Sequence, residues 1–82
     1  MPIKVKTIKH LKEILSNGEP QEFVIKLNLC LRSRKYISFD GEKFYIFNYI
    51  DDSEQELTEA QIMDENYTNI GNAITRGSFF LM

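Results

Sequence analysis

Two residues of this chain have side chains that commonly act in catalysis, His10 and Cys30, and each residue type occurs only once. A general acid–base or a reactive thiol needs a partner that tunes it, such as a carboxylate, a base or a positive neighbour. His10 lies between lysines, and Cys30 has only Arg32 nearby. No metal-ligand spacing and no phosphate-binding glycine loop accompanies them. The sequence therefore predicts a protein that is not an enzyme and that needs no cofactor or metal.

Four acidic residues lie close together in the second half of the chain: Asp51, Asp52, Glu54 and Glu56. A calcium-binding loop of the EF-hand type has carboxylates at alternate positions, but it also has a central glycine and a distal bidentate glutamate. Because the glycine is missing here, the segment is interpreted as a solvated turn. As an alternative, an acidic surface can imitate a phosphate backbone toward a nucleic-acid-binding protein.

A set of basic and aromatic residues in the middle of the chain is the candidate binding surface. It consists of Arg32, Arg34, Tyr36, Tyr45 and Tyr49, with Lys26 and Lys35 nearby. Aromatic rings flanked by cations on a sheet can hold single-stranded nucleic acid, and the same residue types are enriched at protein interfaces. The glycine-bracketed motif of RNA-recognition domains is missing, and the net charge is −2. A protein partner is therefore predicted, with nucleic acid as the alternative.

The elements that position these residues are predicted to be strands of an antiparallel sheet. Apolar residues recur at every second position from Phe23 to Leu31, which is typical of a strand with one buried face. Strands are predicted over residues 22–31, 34–39 and 43–50. The third strand is apolar on both faces and is therefore predicted to be central, or to have its second face covered by another part of the protein. Its two faces carry Phe44, Ile46 and Ile50 on one side and Tyr45, Phe47 and Tyr49 on the other.

The second and third strands are joined through Asp40-Gly41, a dipeptide that favours a hairpin because glycine accepts a positive φ. A two-residue turn places Ile37 opposite Phe44 and Tyr36 opposite Tyr45. A three-residue loop with a bulge shifts this register by one residue. Both registers remain open on the sequence alone.

Helical periodicity flanks the strands on both sides. An apolar stripe at Ile8, Leu11, Ile14 and Leu15 predicts a first helix, capped by Thr7 and ended at Gly18. A capping box at residues 58–61 predicts a short second helix, and residues 69–77 predict a third that ends at Gly77. Residues 3–5 are expected to form a short strand or an extended lead-in, residues 55–57 to add a short strand, and residues 78–82 to form a final strand or a packed extension. The chain is thus predicted to be α+β, with three to five antiparallel strands, an N-terminal helix and two short C-terminal helices.

If the first helix covers one face of the sheet, the two short helices are expected to cover the other. They bring few large side chains, so aromatic residues of the third strand are expected to remain partly exposed. The same expectation holds for the apolar C-terminal segment. A terminal apolar strand can pair edge to edge with a second copy, so a homodimer is also expected.

The whole chain sets bounds on size and location. Its 82 residues predict a single domain. Residues 1–35 carry eight basic and three acidic side chains, whereas residues 36–82 carry two basic and nine acidic side chains. This uneven distribution of charge either marks an interaction surface or is evened out when the two halves interleave in the folded chain. No apolar run approaches the ~20 residues of a membrane span, no signal peptide is evident, and one cysteine cannot form an internal disulfide. A cytoplasmic protein that does not span a membrane is predicted.

Three segments, residues 31–37 (LRSRKYI), 50–58 (IDDSEQELT) and 69–74 (NIGNAI), resemble small uncharacterised bacterial proteins found among mobile-element and phage genes. The resemblance covers about residues 7–80. It brings no activity, cofactor or catalytic residue to this chain. It implies a cytoplasmic accessory protein of a bacterium or its phage, with a partner-binding or inhibitory role.

Overall fold

The structure, a computed structural model, describes residues 2–25 and 34–82. These residues form a six-stranded antiparallel sheet with the strand order β1-β6-β2-β3-β4-β5. The strands are β1 Ile3–Lys4, β2 Gln21–Ile25, β3 Lys35–Phe39, β4 Phe44–Asn48, β5 Ser53–Leu57 and β6 Phe79–Leu81. The predicted α+β class with an antiparallel sheet is confirmed. The predicted number of three to five strands is too low, because residues 3–4, 53–57 and 79–81 all form strands in addition to the three strands in the middle of the chain.

The first helix, α1, spans Ile8–Ile14 and continues as a single 3-10 turn over Leu15–Asn17. The hydroxyl of Thr7 accepts a hydrogen bond from the backbone N–H of His10 at 3.0 Å, which satisfies one amide of the first turn. Gly18 follows with a φ of 78°, the left-handed conformation that ends many helices. The predicted start and end of this helix are confirmed.

The two short helices are α2, Glu59–Met63, and α3, Ile70–Arg76. The predicted capping box is present, because Thr58 and Gln61 each accept the other's backbone N–H through their side chains, at 3.2 Å and 2.9 Å. Gly77 ends α3 with a φ of 73°. Among the helices of the described residues, none has the length and apolar character that a membrane crossing requires.

The three helices of the described residues all pack on one face of the sheet. A single apolar cluster contains Leu11 and Leu15 from the first helical segment, Ile62 from α2, Ile70, Ala73 and Ile74 from α3, and Phe23, Ile37, Phe44, Leu57, Phe79 and Leu81 from the strands. An ion pair of 2.8 Å between Lys12 and Glu59 also joins α1 to α2. The expectation that the short helices cover the opposite face is therefore wrong. Leu57, the last residue of β5, is buried in this core, so the chain enters α2 on the same side as α1.

The loop between β3 and β4 has four residues, so both predicted registers are wrong. Phe39 pairs with Phe44, and Ile37 pairs with Ile46. The loop is held by Asp40, whose Oδ1 accepts the backbone N–H of Glu42 at 2.8 Å and of Lys43 at 2.7 Å. Since the register differs from that of a two-residue turn by an even number of positions, the predicted faces of β4 are retained.

Several strand boundaries differ from the prediction. β4 ends at Asn48 because the chain turns over residues 49–52; it is an inner strand, as predicted. The predicted first strand is described only to Ile25, and Lys26, Cys30 and Arg32 lie outside the described residues. β6 is the predicted C-terminal strand, but it lies between β1 and β2. It therefore cannot pair edge to edge with a second copy.

Gly71→Ala is expected to destabilise the protein, because α2 and α3 approach closely at this residue. A Cβ on Gly71 would lie 2.7 Å from Met63 Cα and 3.0 Å from Met63 O, so the two backbones would have to separate. We expect a loss of about 1–3 kcal/mol in the free energy of unfolding, measured by urea denaturation. The control Asn72→Ala, at an exposed site on the same helix, is expected to change it by less than about 1 kcal/mol. Stabilisation by Gly71→Ala, as helix propensity alone predicts, would contradict the close approach.

Candidate functional site on the open face of the sheet

The face of the sheet opposite the helices, here called the open face, carries several rows of paired side chains, and two of these rows contain the candidate tyrosines. One row crosses four strands as Glu22, Tyr36, Phe47 and Glu54, and the next crosses three as Ser38, Tyr45 and Glu56. These residues alternate along their strands with the core residues, so they point away from the helices. No helix of the described residues packs against them.

An aromatic cluster lies at the centre of the open face. The ring centroids of Tyr36 and Tyr49 are 5.0 Å apart with an interplanar angle of 81°, and those of Phe47 and Tyr49 are 4.4 Å apart at 68°. Both pairs therefore have the edge-to-face geometry that aromatic rings favour. Tyr49 follows β4 and is still 57% exposed. The cluster forms a partly exposed aromatic surface in which Tyr49 is the most exposed ring.

Tyr49 is positioned over the sheet by the backbone of Arg34. The N–H of Tyr49 donates to the carbonyl oxygen of Arg34 at 2.9 Å, which extends the pairing of β3 and β4 by one residue pair. Arg34 has a φ of 55°, a left-handed conformation that is uncommon for residues other than glycine and that is often found at functional sites. This backbone conformation was not predictable from the sequence, because Arg is not a residue type that favours it.

Two shallow depressions flank the aromatic cluster. One, with a volume of about 330 Å³, is lined by Glu22, Arg34, Tyr36 and Tyr49. The other, of about 240 Å³, is lined by Pro20, Tyr36, Ser38, Tyr45, Phe47, Tyr49 and Glu54. Tyr36 and Tyr49 form the ridge between them. Both depressions are open to solvent, whereas small-molecule sites usually enclose most of their ligand.

The structure brings four of the five candidate binding residues together. Arg34, Tyr36, Tyr45 and Tyr49 all line the two depressions, whereas Arg32 lies outside the described residues. Lys35, which was grouped with the same surface, is on the other face. Lys35 pairs with Asn48 and lies two residues before the buried Ile37, so both side chains are on the helix-covered face. There the Lys35 side chain lines a cleft beside Gln55 and Tyr67.

Five residues of these two rows were not among the candidate binding residues: Glu22, Ser38, Phe47, Glu54 and Glu56. Phe47 lies two residues from both Tyr45 and Tyr49, so the alternation of side chains along β4 was sufficient to place it on the same face. Glu22 and Glu54 come from β2 and β5, and only the register across the sheet places them in the row of Tyr36 and Phe47. No local pattern in the sequence carries that information.

The hydroxyl of Tyr45 is held within the protein. It donates to Asp40 Oδ2 at 2.8 Å, and this hydrogen bond is the main reason that the pKa of Tyr45 is raised above its ordinary value. The pKa of Asp40 is lowered, first by the backbone N–H groups of Lys43 and Glu42 and then by the Tyr45 hydroxyl. Tyr45 therefore presents the side of its ring, rather than a free hydroxyl, to a partner.

Acidic side chains dominate the charge around the aromatic cluster. Glu22, Glu54 and Glu56 lie in the two rows of the open face that contain the candidate tyrosines, with Lys43 and Arg34 at its margins. Lys43 forms an ion pair of 2.8 Å with Glu56, and this contact raises the pKa of Lys43. Around the aromatic cluster, the described part of this face therefore carries more negative than positive side chains.

Two residues that were considered for catalysis or metal binding from the sequence, His10 and Asp51, accept hydrogen bonds from nearby backbone N–H groups. The Nδ1 atom of His10 accepts the backbone N–H of Lys6 at 3.3 Å. Asp51 accepts the backbone N–H of Ser53 at 3.0 Å within the turn before β5. Among the described residues, no group of three or more His, Cys, Asp or Glu side chains is placed to hold a metal ion.

Comparison of the chain with protein-family models, with curated proteins and with solved structures found no match.

Asp40→Asn is expected to lower the pKa of Tyr45. The negative carboxylate favours the protonated phenol, both by accepting its hydrogen bond and by its charge, so removing the charge makes ionisation easier. NMR titration of ζ-carbon-labelled tyrosine at high pH measures the shift directly. The control Glu42→Gln removes a charge from the same loop without touching the phenol, and it is expected to leave the pKa of Tyr45 nearly unchanged. Equal shifts in both variants would show that the hydrogen bond is not the cause.

The stability of the protein is also expected to depend on Asp40 at acid pH. Because the pKa of this carboxyl is lower in the folded chain, its contribution is present above the unfolded-state pKa of about 3.9 and is lost as the pH falls through the folded-state value. Unfolding midpoints between neutral and acid pH should therefore fall less steeply in Asp40→Asn than in the wild type. Parallel pH dependence in the two proteins would contradict the assignment.

Proposed function

We propose that this chain is a non-enzymatic interaction module that binds another protein through the open face of its sheet. The observation that carries the proposal is the one-sided packing of the helices, which leaves the cluster of Tyr36, Phe47 and Tyr49 without a helical cover in the described structure. Aromatic rings beside an arginine are enriched at the centres of protein interfaces. The resemblance to mobile-element and phage proteins supports a cytoplasmic accessory or inhibitory role, in which binding blocks a surface of the partner.

The charges of the open face indicate the chemistry of the partner surface. Lysine or arginine side chains of a partner would gain both from Glu22 and Glu54 and from the exposed ring of Tyr49, since a cation is attracted to the face of an aromatic ring. A second copy would bring the same acidic rows against each other, which is repulsive. The proposed partner is therefore a different protein with a basic patch.

Single-stranded nucleic acid remains the alternative for the same face. Stacking on Tyr36 and Tyr49 would be available to bases, but the phosphates would meet Glu22, Glu54 and Glu56. Nucleic-acid binding normally gains its affinity from cations that neutralise phosphates, and the described rows supply few of them. Protein binding is therefore favoured over nucleic-acid binding, and nuclease treatment of captured material distinguishes the two.

Arg34→Asn combined with Tyr49→Ala is expected to abolish partner binding while the fold persists. Asn tolerates the left-handed backbone at position 34, and Tyr49 is largely exposed. Removing one interface aromatic often costs about 2 kcal/mol or more, which is about 30-fold or more in affinity. The measurement is quantitative affinity capture from a lysate of the encoding organism, with and without nuclease.

The matched control is Tyr67→Ala, which removes a tyrosine of similar exposure, 53% against 57%, outside the open face. We expect one stoichiometric protein that survives nuclease, is retained by Tyr67→Ala and is lost with the double variant. Retention by the double variant would remove the open face from consideration. Material that disappears on nuclease treatment would replace the proposal with nucleic-acid binding, and recovery of the chain alone would indicate self-association.

A further inference from the structure

β5 forms an outer edge of the sheet over its full length. It pairs with β4 from Ser53 to Leu57 without a bulge, and it is the last strand in the sheet order. Its first four residues are exposed, so nothing in the described structure covers the free side of this strand. The opposite outer strand, β1, has only two residues, which makes β5 the longer of the two edges.

The backbone hydrogen bonds show which groups of β5 point outward. The Asp40 N–H donates to the Lys43 carbonyl, and the Tyr49 N–H donates to the Arg34 carbonyl, so the odd-numbered residues from 43 to 49 direct their main-chain groups to β3. By the alternation of an antiparallel ladder, the even-numbered residues of β4 direct theirs to β5. The residues of β5 that pair with these even-numbered residues of β4 are Ser53, Gln55 and Leu57, so their main-chain groups point toward β4. The N–H and C=O groups of Glu54 and Glu56 therefore point away from the sheet.

The side chains of the same two residues give the edge its charge. Glu54 and Glu56 lie on the open face, and Asp51 and Asp52 precede the strand in its turn. Lys43 balances Glu56, whereas Glu54 makes no ion pair within the described part of the chain. A second copy added at this edge would align acidic residues with acidic residues, which is unfavourable for cross-strand neighbours. A strand with lysine or arginine at alternate positions would instead place its cations beside these carboxylates.

We propose that β5 accepts an extended, basic segment of the partner protein as a seventh, antiparallel strand. The main-chain groups of Glu54 and Glu56 supply four hydrogen-bonding positions, and the segment's alternate cations lie on the open face beside the two carboxylates. The inference rests on the proposed function, because it specifies how a basic partner reaches the aromatic cluster. Antiparallel addition continues the pattern of every strand pair in the described sheet.

The first test uses short synthetic peptides and the folded, ¹⁵N-labelled chain. The probe is a capped hexapeptide of alternating Lys and Thr, and its acidic counterpart contains Glu in place of Lys. We expect the basic peptide to shift the amide signals of Glu54 and Glu56 and to protect them from hydrogen exchange. The acidic peptide is expected to leave both signals in place. Equal binding of the two peptides, or shifts confined to other elements at millimolar peptide, would overturn the proposal.

Backbone N-methylation separates strand addition from simple charge attraction. In antiparallel addition the residues opposite Glu54 and Glu56 are the lysines, so their N–H groups face β5 while those of the threonines face outward. N-methyl lysine should weaken binding by about tenfold or more, because it removes hydrogen bonds at the interface. N-methyl threonine, with the same charge and composition, should have little effect. Equal weakening by both modifications would rule out a paired strand in this orientation.

Two variants at one position provide the matched comparison in the protein. Glu54→Gln and Glu54→Pro both remove the charge, but only proline removes the outward N–H, and proline is tolerated on the free side of an edge strand. We expect Glu54→Pro to bind the basic peptide several-fold more weakly than Glu54→Gln. Circular dichroism and the unfolding midpoint establish that both variants are folded. The combined change of Glu54 and Glu56 to Lys should reverse the preference toward the acidic peptide.

The outcomes distinguish this inference from the proposed function. Partner capture that is lost with Arg34→Asn and Tyr49→Ala but unchanged by Glu54→Pro would overturn strand addition and leave the open face as the binding surface. Loss of capture both in the Arg34→Asn, Tyr49→Ala double variant and in Glu54→Pro would support strand addition at β5. Capture that depends on neither change would overturn both proposals.

Discussion

The sheet carries all of its described helices on one face, and the rest of the structure depends on this arrangement. Successive side chains of a strand point to opposite faces, so each residue of β3 and β4 either joins the helices in the core or lies on the open face. Ile37 and Phe44 are fully buried, and their neighbours Tyr36 and Tyr45 are not. Burial of each such side chain stabilises the fold by about 1.5–3 kcal/mol, so a slip by one residue, which would exchange the faces, is strongly unfavourable.

An uncovered sheet face and a free edge carry a risk of non-specific association, and the described residues limit it. Tyr49 packs edge-on against Tyr36 and Phe47, which reduces the apolar area that these rings expose. The carboxylates of Glu54 and Glu56 lie along the outer strand, and charge on an edge opposes pairing between copies. The same charges leave the edge attractive to a basic segment. Protection against self-association and selection of a partner can thus follow from one set of side chains.

Part of the candidate site was accessible from the sequence, because it depends on periodicity within single strands. The alternation of β4 places Tyr45 and Tyr49 on one face, and the structure retains that face although the loop before the strand is longer than predicted. The acidic members of the site were not accessible, since Glu54 joins Tyr36 only through two strand pairings. Lys35 was assigned to the wrong surface. Lys35 lies two residues from the buried Ile37 on β3, so its side chain is on the face opposite Tyr36.

The sequence by itself determined the local elements: helix starts at Thr7 and Thr58, helix ends at Gly18 and Gly77, and the alternating faces of the strands. Capping hydrogen bonds and left-handed glycines act within one turn of the chain, so their signals are local and readable. Only the tertiary structure decided the hairpin register, the position of β6 between β1 and β2, and the packing of every described helix on one face. These features depend on contacts between segments far apart in the chain, where burial of shared apolar surface outweighs local preference.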